Sequence, residues 1–453
     1  MVSCLRVVSF GLIASLALTN CSPSRPAPPN VIIFFADDAG YSDFGFQGSG
    51  THVTRWIDSL AEQGTRFSQA YASSSVCSPS RAGLLTGRYQ NRFGVEFNLP
   101  TFSSQQYSLE KQGLPLSEIT LADRAKQHGY RTAMIGKWHL GEAPQFLPDQ
   151  RGFDEYFGLL GGSSGYHSGK ARRIVSNYKV VVHDELPYLT DAFGDEATAF
   201  IERNRDKPFL LYLAFNAPHG PLQAKPDYLK KYQLLFDNGM RAANAALTQS
   251  MDENIGKVLA ALRRLKLEEN TLVIFTNDNG GAANQNGASN YPLRGAKGSV
   301  LEGGLKVPLI IRWPGKVAAG MSVDHLVSTL DVLPTVVHAI GAQLPNDRVY
   351  DGVDLIPYLR TDNTDNPHDT LYWRVNWAAA IRHQDWKLIR TPRNETLLFD
   401  IGNDPGESRD LKDERTDIAQ ALSRKLNLWE SQMNVPLWHP DPKWKKFAEQ
   451  IYN

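Results

Sequence analysis

The amino-acid sequence predicts an α/β fold in which a large mixed, mostly parallel sheet is sandwiched by helices and a smaller α+β unit follows at the C-terminal end. Short uninterrupted apolar runs alternate with longer amphipathic stretches, which is the pattern of strands covered by helices on both faces. After about residue 340 the pattern changes to short, closely spaced strand-like runs. The length of 453 residues also exceeds what one small core usually accommodates.

The first 21 residues have the pattern of a secretory signal peptide. Arg6 precedes an apolar core from Val7 to Leu18, which is too short to span a bilayer comfortably. The residues that end at Cys21 also resemble a bacterial lipobox, whose cysteine becomes lipidated, although Asn20 departs from the small residue usual there. We therefore expect export, either as a periplasmic or outer-membrane lipoprotein attached to the membrane through a lipid on Cys21, or as a secreted protein.

The elements of the large domain, expected at residues 30–340, follow a proline-rich tether at 22–29. Buried strands are predicted at Val31–Phe35, Phe209–Phe215, Thr271–Thr276 and Leu309–Ile311. Amphipathic helices are predicted at Leu121–His128 and Arg241–Leu265. The C-terminal unit, expected at 341–453, is predicted to hold a small antiparallel sheet and a terminal helix, from Leu371–Val375, Ala380–Arg390 with a turn at 383–385, Thr396–Asp400 and Asp413–Trp429.

Polar side chains that can bind ions or transfer protons follow the predicted strands, and a further short run at Thr132–Ile135, at the points where these segments end. They are Asp37 and Asp38, Lys137 and His139, His219, and Asp278 and Asn279. Because active sites of open α/β sheets lie beyond the carboxyl ends of the strands, we expect these side chains to converge. The aspartates and Asn279 offer only hard oxygen donors, so a cluster of them predicts a bound cation such as calcium or magnesium.

The segment Cys77-Ser78-Pro79-Ser80-Arg81, which continues as Ala-Gly-Leu-Leu-Thr-Gly-Arg, is the most specific motif of the chain. Pro79 suits the first turn of a helix, so the motif predicts a helix that starts near Cys77. The free N–H groups and positive dipole at a helix start favour a bound anion or an anionic nucleophile. The same pentapeptide occurs at residues 21–25 without the tail that follows Arg81, which shows that these five residues alone are not a specific motif.

This motif and its tail resemble the maturation sequence of type I sulfatases, which belong to the alkaline phosphatase superfamily. The segments Asn277-Asp278-Asn279-Gly280 and Leu293-Arg294-Gly295-Ala296-Lys297-Gly298 also look like those of arylsulfatases and N-acetylgalactosamine sulfatases. The resemblance implies that residues 30–340 form a sulfatase catalytic domain. It further implies that a formylglycine-generating or anaerobic sulfatase-maturing enzyme oxidises Cys77 to formylglycine, whose hydrate attacks sulfate esters.

The resemblance also assigns roles to the clustered side chains. One calcium ion would be bound by Asp37, Asp38, Asp278, Asn279 and the modified Cys77. Arg81 and Lys137 would hold the formylglycine hydrate, while Asp278 would accept a proton from the attacking hydroxyl. His219 and Lys297 would bind the sulfate and help to protonate the leaving oxygen, and His139 would take the proton of the second hydroxyl so that sulfate is eliminated.

A sulfated saccharide, from a polysaccharide or a glycosaminoglycan, is the expected substrate, and its contacts are the least specified part of the site. The glycine-rich stretch at 161–169 carries His167 and is followed by a basic run that contains Arg172 and Arg173. These three residues and Asn290 are candidates for binding the sugar. Lys+Arg and Asp+Glu are balanced at 48 each, so no overall positive field favours nucleic acid as a partner.

Two alternatives remain open at the level of the sequence. Some phosphonate and phosphate ester hydrolases of the same superfamily also use formylglycine, but they tend to carry Asp-His where this chain has Asp278-Asn279. A glycan-binding surface lipoprotein without activity is the second alternative, and it predicts an unmodified Cys77. The complete set of candidate groups favours the enzyme.

Overall fold

The computed structural model describes residues 27–100, 108–167, 174–177, 179–181, 186, 188–359, 365–440 and 442–452. The predicted signal peptide, Cys21 and most of the tether lie outside these residues. Within the described ranges, no helix is both long enough and apolar enough to span a membrane.

The main structural feature is a large mixed sheet, which has ten strands within the described residues. In spatial order they are β10 (Met321–Ser328), β2 (Thr65–Tyr71), β9 (Leu309–Arg312), β8 (Thr271–Asn277), β1 (Asn30–Ala36), β7 (Phe209–Ala214), β3 (Arg131–Lys137), β4 (Glu155–Leu159), β5 (Ile174–Ser176) and β6 (Lys179–Val181). The five central strands from β8 to β4 are parallel. The predicted fold class is therefore confirmed.

β9 departs from the parallel arrangement, because it runs antiparallel to both β8 and β2. The chain enters β9 from the short helix Glu302–Leu305, next to the edge of the sheet where β8 ends. A strand that starts at this edge has to run in the opposite direction to β8. Its four residues are nevertheless buried, which explains why the first three, Leu309–Ile311, are all apolar.

Helices cover both faces of this sheet. Those of the large domain are α1 (Arg55–Gln63), α2 (Cys77–Thr86), α3 (Leu121–Gln127), α4 (Leu189–Asn204), α5 (Pro226–Gln233), α6 (Gly239–Arg264), α7 (Ala283–Asn286), α8 (Glu302–Leu305) and α9 (Val332–Ala339). The helices predicted at 121–128 and 241–265 correspond to α3 and α6.

The alternation of side chains along β1 divides the core into two layers. Val31, Ile33 and Phe35 pack on one face with residues of α2, α3 and α9, whereas Ile32 and Phe34 pack on the other face with residues of α1, α4 and α6. All five side chains are fully buried, and burial of each contributes roughly 1.5–3 kcal/mol. Burial on both faces explains why the five residues from Val31 to Phe35 include no polar side chain.

The C-terminal unit consists of a four-stranded antiparallel sheet and two helices within the described residues. Its strands are β11 (Thr370–Val375), β12 (Ala378–His383), β13 (Trp386–Arg390) and β14 (Thr396–Asp400). The predicted turn is present, with Gln384 at a φ of 52°. The helix expected at 413–429 is α10 (Thr416–Glu430), but it is not terminal, because α11 (Pro442–Ile451) follows.

Candidate active site

The candidate active site lies at the carboxyl ends of the central parallel strands. β1 leads into Asp37 and Asp38, β3 ends in Lys137, and β8 is followed by Asp278. The parallel register of β1 with both of its neighbours brings these strand ends to the same edge of the sheet. The predicted convergence therefore follows from the strand order.

Cys77 is the first residue of α2 and lies next to this edge of the sheet. The helix starts there because Val76 is extended and Pro79 fits the first turn. The Cys77 Sγ atom lies 3.7 Å from Asp37 Oδ1 and 3.1 Å from Lys297 Nζ, and the side chain is 1% exposed. Burial raises the pKa of the Cys77 thiol, so an unmodified Cys77 is a protonated, weak nucleophile.

Two buried cations hold the carboxylates beside Cys77. Lys137 Nζ donates to both oxygens of Asp37, at 2.9 and 2.7 Å. Arg81 donates to Asp278 Oδ2 at 3.0 Å and lies 3.5 Å from Asp37 Oδ1. Although burial opposes ionisation, Arg81 and Lys137 hold the pKa of Asp278 well below its usual range. Asp278 is therefore ionised at neutral pH.

Lys297 is the cation on the next side of the site, and His219 lies beside it with a neutral ring, because burial lowers the pKa of His219 to about 3 despite the opposing effect of Asp38. Lys297 Nζ donates to Asp38 Oδ2 at 2.7 Å, and His219 Nε2 lies 3.5 Å from the same oxygen. The Nδ1–H group of His219 donates to the carbonyl oxygen of Gly220 at 2.6 Å, which leaves Nε2 directed toward Asp38. Burial by itself lowers the pKa of Lys297, but Asp38 outweighs it and raises that pKa well above the usual range.

The donor set fits a hard divalent cation. One oxygen each of Asp37, Asp38 and Asp278 and the Cys77 Sγ atom all lie within 4.8 Å of one another. Asn279 is fully buried, and its Oδ1 atom has no hydrogen-bond partner among the described residues. Burial raises the pKa of Asp37 to about 8 despite the opposing effect of Lys137, with a further contribution from Asp278. An orphaned amide oxygen beside crowded carboxylates is the environment that a bound cation satisfies.

His139 also belongs to the site, and its backbone has a positive φ of 57°, which is a constrained conformation for a residue other than glycine. Its Nδ1 atom is buried without a hydrogen-bond partner in the described structure. Burial, reinforced by Lys137, lowers the pKa of His139 well below its usual range, so the ring is neutral and can accept a proton. A Cβ atom on Gly162 would lie 2.6 Å from His139 Nε2, so glycine is needed there for the ring to keep this position.

A cavity of about 370 Å³, here called the Cys77 cavity, opens above these groups. Cys77, His139, His219 and Lys297 line its inner part. The rest of its wall is formed by Phe97, Asn98, Leu99, Pro100, Gly162, Ser163, Gln285, His439, Pro440 and Trp444. Gly162 and Ser163 belong to the glycine-rich stretch at 161–169, from which sugar contacts were expected, whereas the other eight were not predicted from the sequence. Three of these residues belong to the C-terminal segment, so both parts of the chain build the cavity.

The predicted sugar-contact residues are positioned differently from the catalytic candidates. Asn290 does not line the Cys77 cavity: its amide accepts from Gly281 N at 2.9 Å and donates to Gly281 O at 3.0 Å, so it fixes a loop. His167 also lies away from the cavity, with its ring against Tyr188 and Nε2 3.3 Å from Ala224 O. Arg172 and Arg173 lie outside the described residues.

A cysteine at a helix start, a carboxylate cluster and a cationic pocket at the carboxyl edge of a mixed sheet define an alkaline-phosphatase-like ester hydrolase. The chain belongs to the Sulfatase family, whose model matches residues 29–342. A second model, described as "N-sulphoglucosamine sulphohydrolase, C-terminal", matches residues 296–432. The protein is therefore a sulfatase, an enzyme that hydrolyses sulfate esters, and the predicted family and enzyme class are confirmed.

Similar proteins with known names agree with this assignment. N-acetylgalactosamine-6-sulfatase of Mus musculus is 32% identical, over 94% of this chain and 89% of the relative. Steryl-sulfatase of Mus musculus is 31% identical, over 90% of this chain and 83% of the relative. Among solved structures, Ps i-CgsB superimposes with a TM-score of 0.85 and 35% identity, over 94% of this chain and 98% of that chain.

Proposed function

We propose that this sulfatase removes sulfate from sulfated carbohydrate and that its nucleophile is formylglycine made from Cys77 by a maturation enzyme. The observation that carries the proposal is the position of Cys77, which is buried at the start of α2, faces a cavity and lies 3.1 Å from the ammonium group of Lys297. A protonated thiol at residue 77 would not account for the number of charged side chains that surround it. As a formylglycine hydrate, residue 77 would supply two hydroxyl groups, one to attack sulfur and one to allow sulfate to be eliminated.

The surrounding side chains divide into anion-binding and proton-accepting groups. Lys297 stays charged and, with His219 beside it, binds the negative sulfate group at the inner end of the cavity. Arg81 and Lys137 hold the buried carboxylates and the groups on residue 77 in position. Asp278, which is ionised, and His139, which is neutral, are the two groups able to accept protons.

We also propose that the cation is a single calcium ion. Asp37, Asp38, Asp278, Asn279 and the modified residue 77 would hold it, since four of these offer oxygen ligands of the type that calcium prefers. When bound, it supplies positive charge that polarises and orients oxygen atoms at the centre of the site. Without it, Arg81, Lys137 and Lys297 already face the three aspartates and offset their negative charge. A cation therefore adds a positive excess, which favours an anionic substrate.

Carbohydrate is supported as the substrate class by the names of two similar proteins. The family includes N-acetylgalactosamine-6-sulfatase, and the structure of Ps i-CgsB in complex with k-i-k-neocarrahexaose is 34% identical to this chain. Phosphonate monoester hydrolase of Agrobacterium radiobacter is 21% identical, and this likeness shows the shared fold alone.

The test is sulfate release from defined sulfated mono- and oligosaccharides by protein produced with a formylglycine-generating enzyme and supplied with calcium. Mass spectrometry of the peptide that contains residue 77 reports the conversion. Cys77→Ala is the inactive control, and phosphate and phosphonate monoesters form a comparison set. We expect release from at least one sugar class and none from the control. Converted protein that cleaves only the phosphorus esters would overturn the proposal.

We further propose that the chain is exported and anchored through a lipid on Cys21. The support is the signal-like sequence of residues 1–21 and its resemblance to a lipobox. Labelled palmitate should be incorporated into the wild-type protein but not into Cys21→Ser when both are expressed in a bacterial host. Equal labelling of both proteins would exclude Cys21 as the attachment site.

A further inference from the structure

A second and larger cavity, here called the C-terminal cavity, adjoins the Cys77 cavity. Its volume is about 720 Å³, and its wall includes Glu96, Arg374, Trp377, Arg390, Glu430 and Lys445. His439 and Pro440 line both cavities, so the two spaces meet at these residues. A ligand chain that leaves the Cys77 cavity across His439 therefore enters the C-terminal cavity.

A row of aromatic rings connects the two cavities. Trp377, which is half-buried in the wall of the C-terminal cavity, has its ring centroid 5.7 Å from that of Phe97. Phe97 lines the Cys77 cavity and lies 5.7 Å from Trp444, which lines the same cavity. The faces of such aromatic rings pack well against the C–H groups of a pyranose, because the negative face of the aromatic ring attracts the weakly positive hydrogens of those groups.

The polar groups of the C-terminal cavity suit a hydroxylated ligand. Arg374 Nε donates to Glu96 Oε1 at 2.8 Å, and Arg390 pairs with Glu430 at 2.5 Å. Each pair places hydrogen-bond donors and acceptors next to one another, while the opposite charges of its two members largely cancel. Such a wall binds neutral hydroxyl groups and gives little attraction to a highly charged ligand such as a polyphosphate.

Lys445 adds one further cation to this wall. It is exposed, and no carboxylate of the described residues pairs with it. The remaining positive charge is therefore small and localised. It matches a single sulfate group on a sugar next to the one that is cleaved.

We propose that the C-terminal cavity binds the sugar residues that adjoin the sulfated residue, so that the substrate is an oligosaccharide or polysaccharide rather than a monosaccharide. This inference rests on the proposed carbohydrate sulfatase function. In it, Trp377 stacks on a sugar ring of the chain and Lys445 binds a sulfate on that chain. The C-terminal unit is then a determinant of substrate length, and the large domain supplies the chemistry.

The first experiment uses the mature wild-type enzyme and a size series of sulfated neocarra-oligosaccharides of two, four and six sugars. A parallel series of chondroitin sulfate oligosaccharides and a small aryl sulfate are measured under the same conditions. We expect KM to fall as the chain lengthens within the series that is cleaved. A KM that does not depend on length would overturn the inference. No sulfate release from either sugar series would instead contradict the proposed function on which it rests.

The second experiment compares three variants by the ratio of kcat/KM for the longest cleaved oligosaccharide to that for the aryl sulfate. Trp377→Ala should lower this ratio roughly three- to tenfold, mainly through KM, as expected for the loss of one aromatic stacking contact. Trp386→Ala is the matched control, because Trp386 is also half-buried in the small sheet but does not line the cavity. Lys445→Gln, a surface change, should lower the ratio when the chain carries a second sulfate. Ratios equal to that of the wild type in Trp377→Ala and Lys445→Gln would overturn the inference.

Discussion

Lys387 gives the sharpest test of how the C-terminal unit is attached to the large domain. Its side chain is fully buried in β13, where Nζ lies 2.8 Å from Glu302 Oε1 and 2.9 Å from Glu407 Oε1. Glu302 is the first residue of α8, and Glu407 Oε2 accepts a hydrogen bond from its backbone N–H. Against the effect of burial, Lys387 lowers the pKa of Glu302 to about 2, whereas burial raises the pKa of Glu407 to about 7.

Replacing Lys387 by methionine keeps most of the packing but leaves two buried carboxylates without their shared cation. Removal of one partner of a buried ion pair costs roughly 3–5 kcal/mol. At about 2.1 cal/mol/K per residue, 453 residues give an unfolding entropy of about 1 kcal/mol/K, so Tm should fall by about 3–5 °C. The deficit should be largest above pH 7 and should shrink toward pH 5, because protonation neutralises the unpaired carboxylates, whose pKa values rise in the variant.

Differential scanning calorimetry of the mature enzyme between pH 5 and 8 measures both effects. The triple variant Lys387→Met/Glu302→Gln/Glu407→Gln is the control, because it removes all three charges. We expect it to recover at least half of the loss and to lose the pH dependence. A Tm within about 1 °C of the wild type for Lys387→Met would refute this reasoning, as would a triple variant less stable than the single one.

Three further predictions concern the site and the large domain. Removing calcium with a chelator should lower Tm by about 3 °C relative to the Tm at a free calcium concentration of 100 times Kd, and adding calcium again should restore it. Identical Tm values with and without calcium would exclude a bound ion. Gly162→Ala should lower kcat for sulfate release at least tenfold with little change in Tm, because its Cβ would displace His139, whereas Gly50→Ala, which has open space, should behave as the wild type. Burial lowers the pKa of His52 to about 4, so the free energy of unfolding should fall by about 2–3 kcal/mol as pH drops from 6.5 through 4. In His52→Gln, which can keep the contact with Asn244, this loss of stability at acid pH should be smaller. A variant whose stability depends on pH as that of the wild type does would contradict the assignment.

The catalytic candidates could be predicted because each is close in sequence to a feature with a strong local signal. Asp37, Lys137 and Asp278 follow short apolar runs that are typical of buried strands, and Pro79 marks the helix start at Cys77. Parallel strands end at one edge of a sheet, so the order of these residues along the chain was enough to predict that they meet.

The rest of the cavity wall could not be predicted in this way. His439, Pro440 and Trp444 are more than 350 residues from Cys77 in sequence and belong to no motif that indicates a site. Proline at the start of α11 suits the first turn of a helix, but the local sequence gives no sign that this helix packs beside Phe97. Asn290 illustrates the same limit, since a polar residue near a motif suggested a sugar contact, and only the structure shows that its amide bonds to the backbone of Gly281.

Local sequence was sufficient to predict the chemistry of this protein, because the types of side chain at the strand ends and the Cys77 motif define what the site can bind and transfer. It was also sufficient to predict the layered α/β fold, since the length and continuity of the apolar runs leave few other ways to bury them. Which charges pair, and which residues line the cavity, could be seen only in the folded protein. Those properties depend on distances between residues such as Cys77, Lys297 and His439, which are set by strand order and by the packing of the C-terminal unit.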